Sequence, residues 1–302
     1  GVSAATMIGV DGAQRTGLQV FNTEDLGPGQ VAIPGATTQA VHVALLAHAE
    51  RFKRFALLDL PLGTDRDAAV TARRLLNSAY GAVYWPYVER SDFAGSGAAK
   101  LYPPSGFVAG VFARAEAEVG VHQAPAGVRV GRLLNVLNVE RAANGSPQTD
   151  EGTRALLNQN EVNVIAPLPE QGVVVYGARV LAAAGRVTAV HEQRVLNAVY
   201  HQLKKSYREI PFSVVDGEGK LFREVQSISR QYLLTLWRQQ ALYGADEEEA
   251  FVVICDRQNN PPETLAQHQL FVQVGVKISP MAEKVIVNID SVPLGTSLEV
   301  LR

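Results

Sequence analysis

The sequence predicts an α/β fold built on a parallel sheet, followed by an α+β region. Three observations carry this expectation. Between residues 4 and 85, short apolar runs alternate with segments of helical periodicity, in the order strand, helix, strand, helix, strand. Two of those runs stop at a proline, Pro61 and Pro86. Beyond residue 186 the order changes: amphipathic helices come first and strands follow.

The chain has 302 residues, 47% of them apolar, enough core for one large domain or two ordinary ones. A net charge of −2 argues against a dedicated nucleic-acid binder, which is usually basic. The single cysteine, Cys255, allows no disulfide framework and is expected to be a buried, reduced thiol. No apolar run approaches the ~20 residues of a membrane span. The start, Gly1-Val2-Ser3-Ala4, lacks the charged and apolar regions of a signal peptide. It also lacks an initiator Met, as expected of a processed or trimmed chain.

Taken in order, Ala4 to Val10 reads as a first strand, closed by Asp11-Gly12. Pro34-Gly35 leads into a helix with Val41, Leu45, Ala49 and Phe52 on one face. Phe55 to Asp59 is a buried strand. Asp65 is placed to cap a helix from Arg66 to about Asn77. Ala82 to Trp85 is the next strand. Ser105 is expected to cap a helix over Phe107–Glu118, where Gly110 would admit a neighbouring backbone. Gly145 to Asp150 is a polar turn, Glu151 to Asn158 a short helix, Val162 to Ile165 a strand, and Gly172 to Arg179 another. A polar stretch at Ala184-Gly185-Arg186 divides the chain into domains over 1–185 and 186–302.

A long helix is predicted from Val190 to Glu209. Leu196, Val199, Leu203 and Tyr207 form its core face, and His201, Lys204, Lys205 and Arg208 its basic face. In the next helix Leu221, Val225, Ile228, Tyr232 and Leu236 share a face, and Gly244 is expected to end it. Ala250 to Cys255 reads as a strand buried on both sides. Leu270–Val276 and Val285–Ile289 read as strands, and the residues from Pro293 as an extended tail.

A search for chemistry finds little. No G-x-G-x-x-G, H-E-x-x-H or Cys/His cluster is present, and Gly217-Glu218-Gly219-Lys220-Leu221 is only a fragment of a phosphate-binding loop. Asp59 ends a buried strand, where α/β enzymes place catalytic groups. With Ser105 and His42, His48 or His122 it could form a triad, but no nucleophile elbow supports one. Asp59 is instead expected to bond a turn. No catalytic residue, cofactor or metal ligand is assigned. The basic face reads as a solvated stripe or as a contact to an acidic partner.

Two stretches carry a resemblance. Leu236-Trp237-Arg238, Ala241-Leu242-Tyr243-Gly244-Ala245, Glu248-Glu249-Ala250-Phe251 and Cys255-Asp256 resemble the signature of contractile tail sheath proteins. So do Pro103 to Arg114 and Gly120 to Ala126. Gly172 to Arg179 is similar to a family strand, with Tyr176 for Trp. The departures are Gln240, where the family usually has Gly and where a helix interior is expected, and His122-Gln123 in place of Trp-Lys.

The resemblance implies a subtilisin-like sheath core without protease activity and an α+β C-terminal sheath domain. It implies a virion tail or injection-system particle, assembled in the bacterial cytoplasm. Sheath subunits form hexameric rings around an inner tube, between baseplate and tail terminator, and contract to drive the tube through an envelope. Neither nucleic acid nor membrane is an expected partner. Lys204, Lys205 and Arg208 are the tube-contact candidates. Lys284, Val285, Ile286, Val287, Asn288 and Ile289 are the strand-exchange candidates. No equivalent N-terminal arm is visible before the expected first strand. Two alternatives stay open: a hydrolase-like enzyme using Asp59 and a histidine, and a non-contractile scaffold of similar fold.

Overall fold

A computed structural model describes residues 2–92, 95, 97–182 and 187–283. The chain runs α1 (Ala4–Ile8), β1 (Gln30–Val31), α2 (Gln39–Phe52), β2 (Phe55–Asp59), α3 (Arg66–Arg74), β3 (Gly81–Trp85), β4 (Val88–Ser91) and β5 (Ala99–Tyr102). It continues α4 (Ser105–Glu118), α5 (Gly127–Val130), β6 (Asn138–Val139), α6 (Glu151–Gln159), β7 (Val162–Leu168) and β8 (Gly172–Val175). Last come α7 (Val190–Ser206), α8 (Lys220–Arg238), α9 (Glu247–Ala250), β9 (Phe251–Ile254), α10 (Pro262–Ala266) and β10 (Gln273–Val276).

The main sheet has the order β1-β2-β3-β7-β8. β1, β2, β3 and the first half of β7 are parallel. The second half of β7 pairs antiparallel with β8. Both faces are covered, so β3 and β2 up to its terminal Asp59 are apolar, and both strands are buried at every residue. Alternate side chains go to opposite cores. Ala56, Leu58, Val83 and Trp85 meet Val41, Leu45 and Ala49 of α2, Ala69 of α3 and Leu157 of α6. Phe55, Leu57, Ala82 and Tyr84 meet Val108, Val111 and Phe112 of α4, and Val190 at the start of α7. A three-stranded antiparallel sheet, β5-β4-β6, lies beside this layer. The last third packs α7 on α8 through Val195, Val199, Leu203, Leu233 and Leu236, with Phe251 of the β9–β10 pair.

The mixed α/β class and the positions of α2, β2, α3, β3 and α6 follow the sequence. Six local expectations are overturned. Residues 4–8 are a short helix, because the Ser3 hydroxyl accepts from Thr6 N–H and caps it. Among the described residues no backbone comes within 4 Å of a Cβ placed on Gly110. Pro104, not Ser105, precedes the first turn of α4. The strand at Gly172 ends at Val175, where Tyr176 turns outward. β9 buries one face only, since its partner is the single strand β10 and Val252 is half exposed. Cys255 lies just beyond β9 and is buried.

The sixth concerns the end of α8, which stops at Arg238, well before Gly244. Gln240 takes a left-handed conformation, φ +62°. Its N–H donates to Trp237 O at 2.9 Å and Ala241 N–H donates to Leu236 O at 2.9 Å. These two bonds make a Schellman stop, with buried Ala241 against Leu236 completing its apolar contact. Gln240 therefore stands outside the helix, at the position where Gly is favoured. Gly244 serves a different need: a Cβ there would lie 2.7 Å from Ala250 N.

The expected boundary at 184–186 and the expected strand and tail beyond Lys284 lie outside the described residues.

Candidate functional site

Asp59, at the end of β2, is 1% exposed and accepts three hydrogen bonds. Gly35 N–H donates to it at 2.9 Å, Ser105 N–H at 2.8 Å and the Ser105 hydroxyl at 2.7 Å. Burial pushes the carboxyl above its usual range, against the pull of these donors. The Ser105 hydroxyl is committed to Asp59, not to a histidine. His42 Nε2 bonds Ala36 O at 3.1 Å. Asp59 and Ser105 thus form a tie and not a triad. One carboxylate fastens the Pro34-Gly35 turn and the start of α4 to the end of β2.

His48 belongs to a second network. Arg54 Nη1 donates to His48 Nε2 at 2.9 Å, so Nε2 accepts and the proton sits on Nδ1, which donates to Asn22 Oδ1 at 3.1 Å. Asn22 Nδ2 then donates to Asp11 and Gln19. Arg54 also donates to the carbonyls of Phe21, Thr23 and Gly27. This neutral imidazole has its pKa pushed down to about 4 by burial and by the nearby guanidinium groups. The network holds the irregular segment 11–27 against α2. Neither Arg54 nor Asn22 stands out in the sequence: Arg54 donates mostly to backbone carbonyls, and Asn22 meets His48 only across 26 residues of chain.

Asp216 answers the phosphate-loop fragment. Its carboxylate accepts from the N–H groups of Glu218, Lys220 and Leu221, which holds its pKa down at about 2. A phosphate's place is taken by the chain's own anion. Among the described residues no group of three or more His, Cys, Asp or Glu could hold a metal ion. None of their helices is long and apolar enough to cross a membrane.

The basic face of α7 divides. Lys204 forms an ion pair with Glu24, and His201 Nε2 reaches Phe52 O at 3.0 Å. Both are used inside the molecule, at the start of β2. Lys205 and Arg208 are exposed and form no ion pair among the described residues. On the opposite side, Arg194 is buried, pairs with Glu116 at 2.8 Å and lies over the Phe112 ring. The helix's buried face carries Val195, Asn197, Val199 and Leu203, whereas Leu196 and Tyr207 are only half-buried. The strand-exchange candidates Lys284 to Ile289 lie outside the described residues. The chain leading to them is fastened by His191 Nε2 to Ser279 O at 3.1 Å and by Arg179 to Glu283.

In each of these arrangements buried polar groups tie elements of the fold to one another. The family described as the phage tail sheath protein central domain matches residues 18–181. A protein of Pseudomonas aeruginosa (strain UCBPP-PA14) named as a prophage major tail sheath protein is 27% identical over 291 residues, covering 93% of this chain and 70% of that one. Among solved structures, a chain of the anti-feeding prophage helical sheath in its contracted state matches at a TM-score of 0.68 and 26% identity. That match covers 87% of this chain and 69% of the other. A chain of the anti-feeding prophage baseplate matches at 0.71 and 26% identity, over 88% and 69%. The contracted sheath of an extracellular contractile injection system, PVC, shares the fold at 0.73 and 23% identity, over 90% and 71%. The chain belongs to the phage tail sheath family and is a structural subunit of a contractile sheath.

Proposed function

We propose that the chain assembles into rings of six stacked around an inner tail tube, and that shortening of this lattice drives the tube through a target envelope. The observation that carries this is the likeness, over 87% of the chain, to a sheath subunit in its contracted lattice. No catalysis is required. The extended lattice is held by a barrier, so its persistence is kinetic, and contraction is a rigid-body rearrangement of subunits.

The finer assignments follow from that reading. The core over residues 1–185 is subtilisin-like and residues 186–302 form the C-terminal sheath domain. The parallel order of β1, β2, β3 and β7 supports the first. Lys205 and Arg208 face the tube, with Lys204 lending its charge from the pair with Glu24. Lys284 to Ile289 add a strand to a neighbouring subunit. The baseplate and tail terminator bound the assembly, which forms in the bacterial cytoplasm and engages neither nucleic acid nor membrane directly.

The test is negative-stain electron microscopy of the full-length chain with its cognate tube protein. Ribbed cylinders enclosing the tube are expected. Dispersed chains under every assembly condition would overturn the reading. Lys205→Glu with Arg208→Glu is expected to weaken sheath on tube at physiological salt. Unchanged assembly would remove the charge contact and leave the sheath assignment standing.

A further inference from the structure

The loop between α7 and α8 carries the most exposed apolar side chains of the described residues. Phe212 is 106% exposed and Val214 84%. Phe212 also holds a left-handed backbone, φ +72°, which an aromatic residue adopts only at a cost and which Gly or Asn would adopt freely. A turn selected for solvent alone would avoid both features. Strain joined to exposed aromatic surface points to an occupied site.

The matching surface lies at the other end of the molecule. Pro34, Tyr102, Pro103, Gly106 and Phe107 line an open apolar groove of about 400 Å³, large enough for a phenyl ring. The main sheet fixes where the two stand. The groove adjoins Gly35 and Ser105, which bond Asp59 at the end of β2. The loop follows α7, whose His201 bonds the carbonyls of Phe52 and Lys53, just before β2 begins. Loop and groove are therefore at opposite ends of the same strands, and one molecule cannot bring its own two together.

We propose that the Phe212 loop of one copy of this chain inserts into the Pro34–Phe107 groove of the next. The contact is head-to-tail, the kind that generates an open or ring-closed polymer and not a two-fold dimer. It rests on the sheath reading for the statement that copies of this chain meet in a repeating lattice. It adds a hydrophobic knob and socket, formed by side chains, to contacts made by exchanged strands.

The test mixes full-length chains bearing Ser213→Cys, which keep Phe212 and change its exposed neighbour, with chains bearing Gly106→Cys under mild oxidation in the presence of the cognate tube protein, and examines the same sample in the electron microscope. Cys255 is buried and does not compete. A Cβ at Gly106 meets nothing closer than Pro34 Cγ at 4.0 Å, so the substitution fits. A disulfide between unlike chains supports the proposal, with or without cylinders. Cylinders without that disulfide overturn it and leave the sheath reading intact, and neither product, under conditions where the wild-type chain assembles, overturns it as well. Phe212→Gly gives an independent signature of opposite sign. It relieves strain, so the dispersed chain melts higher, yet the concentration needed for assembly rises about tenfold or more. Assembly of Phe212→Gly at the wild-type concentration would overturn the proposal.

Discussion

His48 shows how one buried side chain sets a pH response. The unfolded chain takes up this proton near pH 6.5, while the folded imidazole resists until about pH 4. Between those values the unfolded state binds more protons, so stability is complete above the window and falls as the pH drops through it. Burial lowers His42, His122 and His191 in the same direction. Denaturant titrations from pH 7 to pH 4 are expected to show a loss on the order of 1–2 kcal/mol from His48, allowing for screening by solvent. In His48→Gln this part of the slope is expected to vanish. Gln240 offers a second residue-scale test. Gln240→Gly should raise stability by about 0.5–1 kcal/mol, because glycine meets no Cβ penalty in the left-handed stop. An unchanged melting midpoint would contradict the Schellman geometry. The sequence held the clue here, since the family it resembles has Gly at this position. It was misplaced because the apolar spacing of the preceding helix gives no sign of where the last turn closes. The His48 network left no such clue: Arg54 donates to three carbonyls, and side-chain pattern does not reveal where backbone groups need partners.

Elements are held in place as much by side chains at their ends as by their apolar faces. Asp59 joins β2 to α4 and to the Pro34-Gly35 turn through three bonds to one carboxylate. Asp59→Ala is expected to cost about 3 kcal/mol, because it leaves the buried Ser105 hydroxyl and two N–H groups without a partner. Chemical denaturation measures this directly, and a loss below about 0.5 kcal/mol would deny the tie. β2 and β3 were legible to within one residue because both their faces are covered and every position but the terminal Asp59 is apolar or aromatic. β9 was not, since an apolar run of the same length does not say whether a second layer covers it. The segment 4–8 was misread for a related reason: five apolar or small residues satisfy either period, and the Ser3 cap decides between them.

At the scale of the molecule, α7 joins what the sequence divides. Val190 packs in the core beneath β2 and β3, and Val195, Val199 and Leu203 pack on α8. Arg194 reaches Glu116 of α4, and Asn197 Nδ2 donates to Arg54 O at 3.1 Å. Thermal unfolding of the dispersed chain is therefore expected as one transition, with near- and far-ultraviolet circular dichroism coincident. Two resolved transitions would show that the last third melts separately. The periodicity of α7 identified a helix with a core face. It could not show that Arg194, an ionic side chain beside that face, is buried against an aromatic ring and a glutamate.

The central place of β3 has a consequence for synthesis on the ribosome. On one side it pairs with β2, which leaves the exit tunnel shortly before it. On the other it pairs with β7, and Asn163 of β7 donates to Val83 O across 80 residues of chain. At an elongation rate of ~5–20 residues per second, the open edge of β3 waits roughly 4–16 s for its neighbour. Throughout that interval the nascent chain presents an apolar strand edge, in a cell where other polysomes are making the same sequence. The yield of folded chain is therefore expected to rise when translation between residues 86 and 162 is faster, as expression from synonymous codons of different speed would measure.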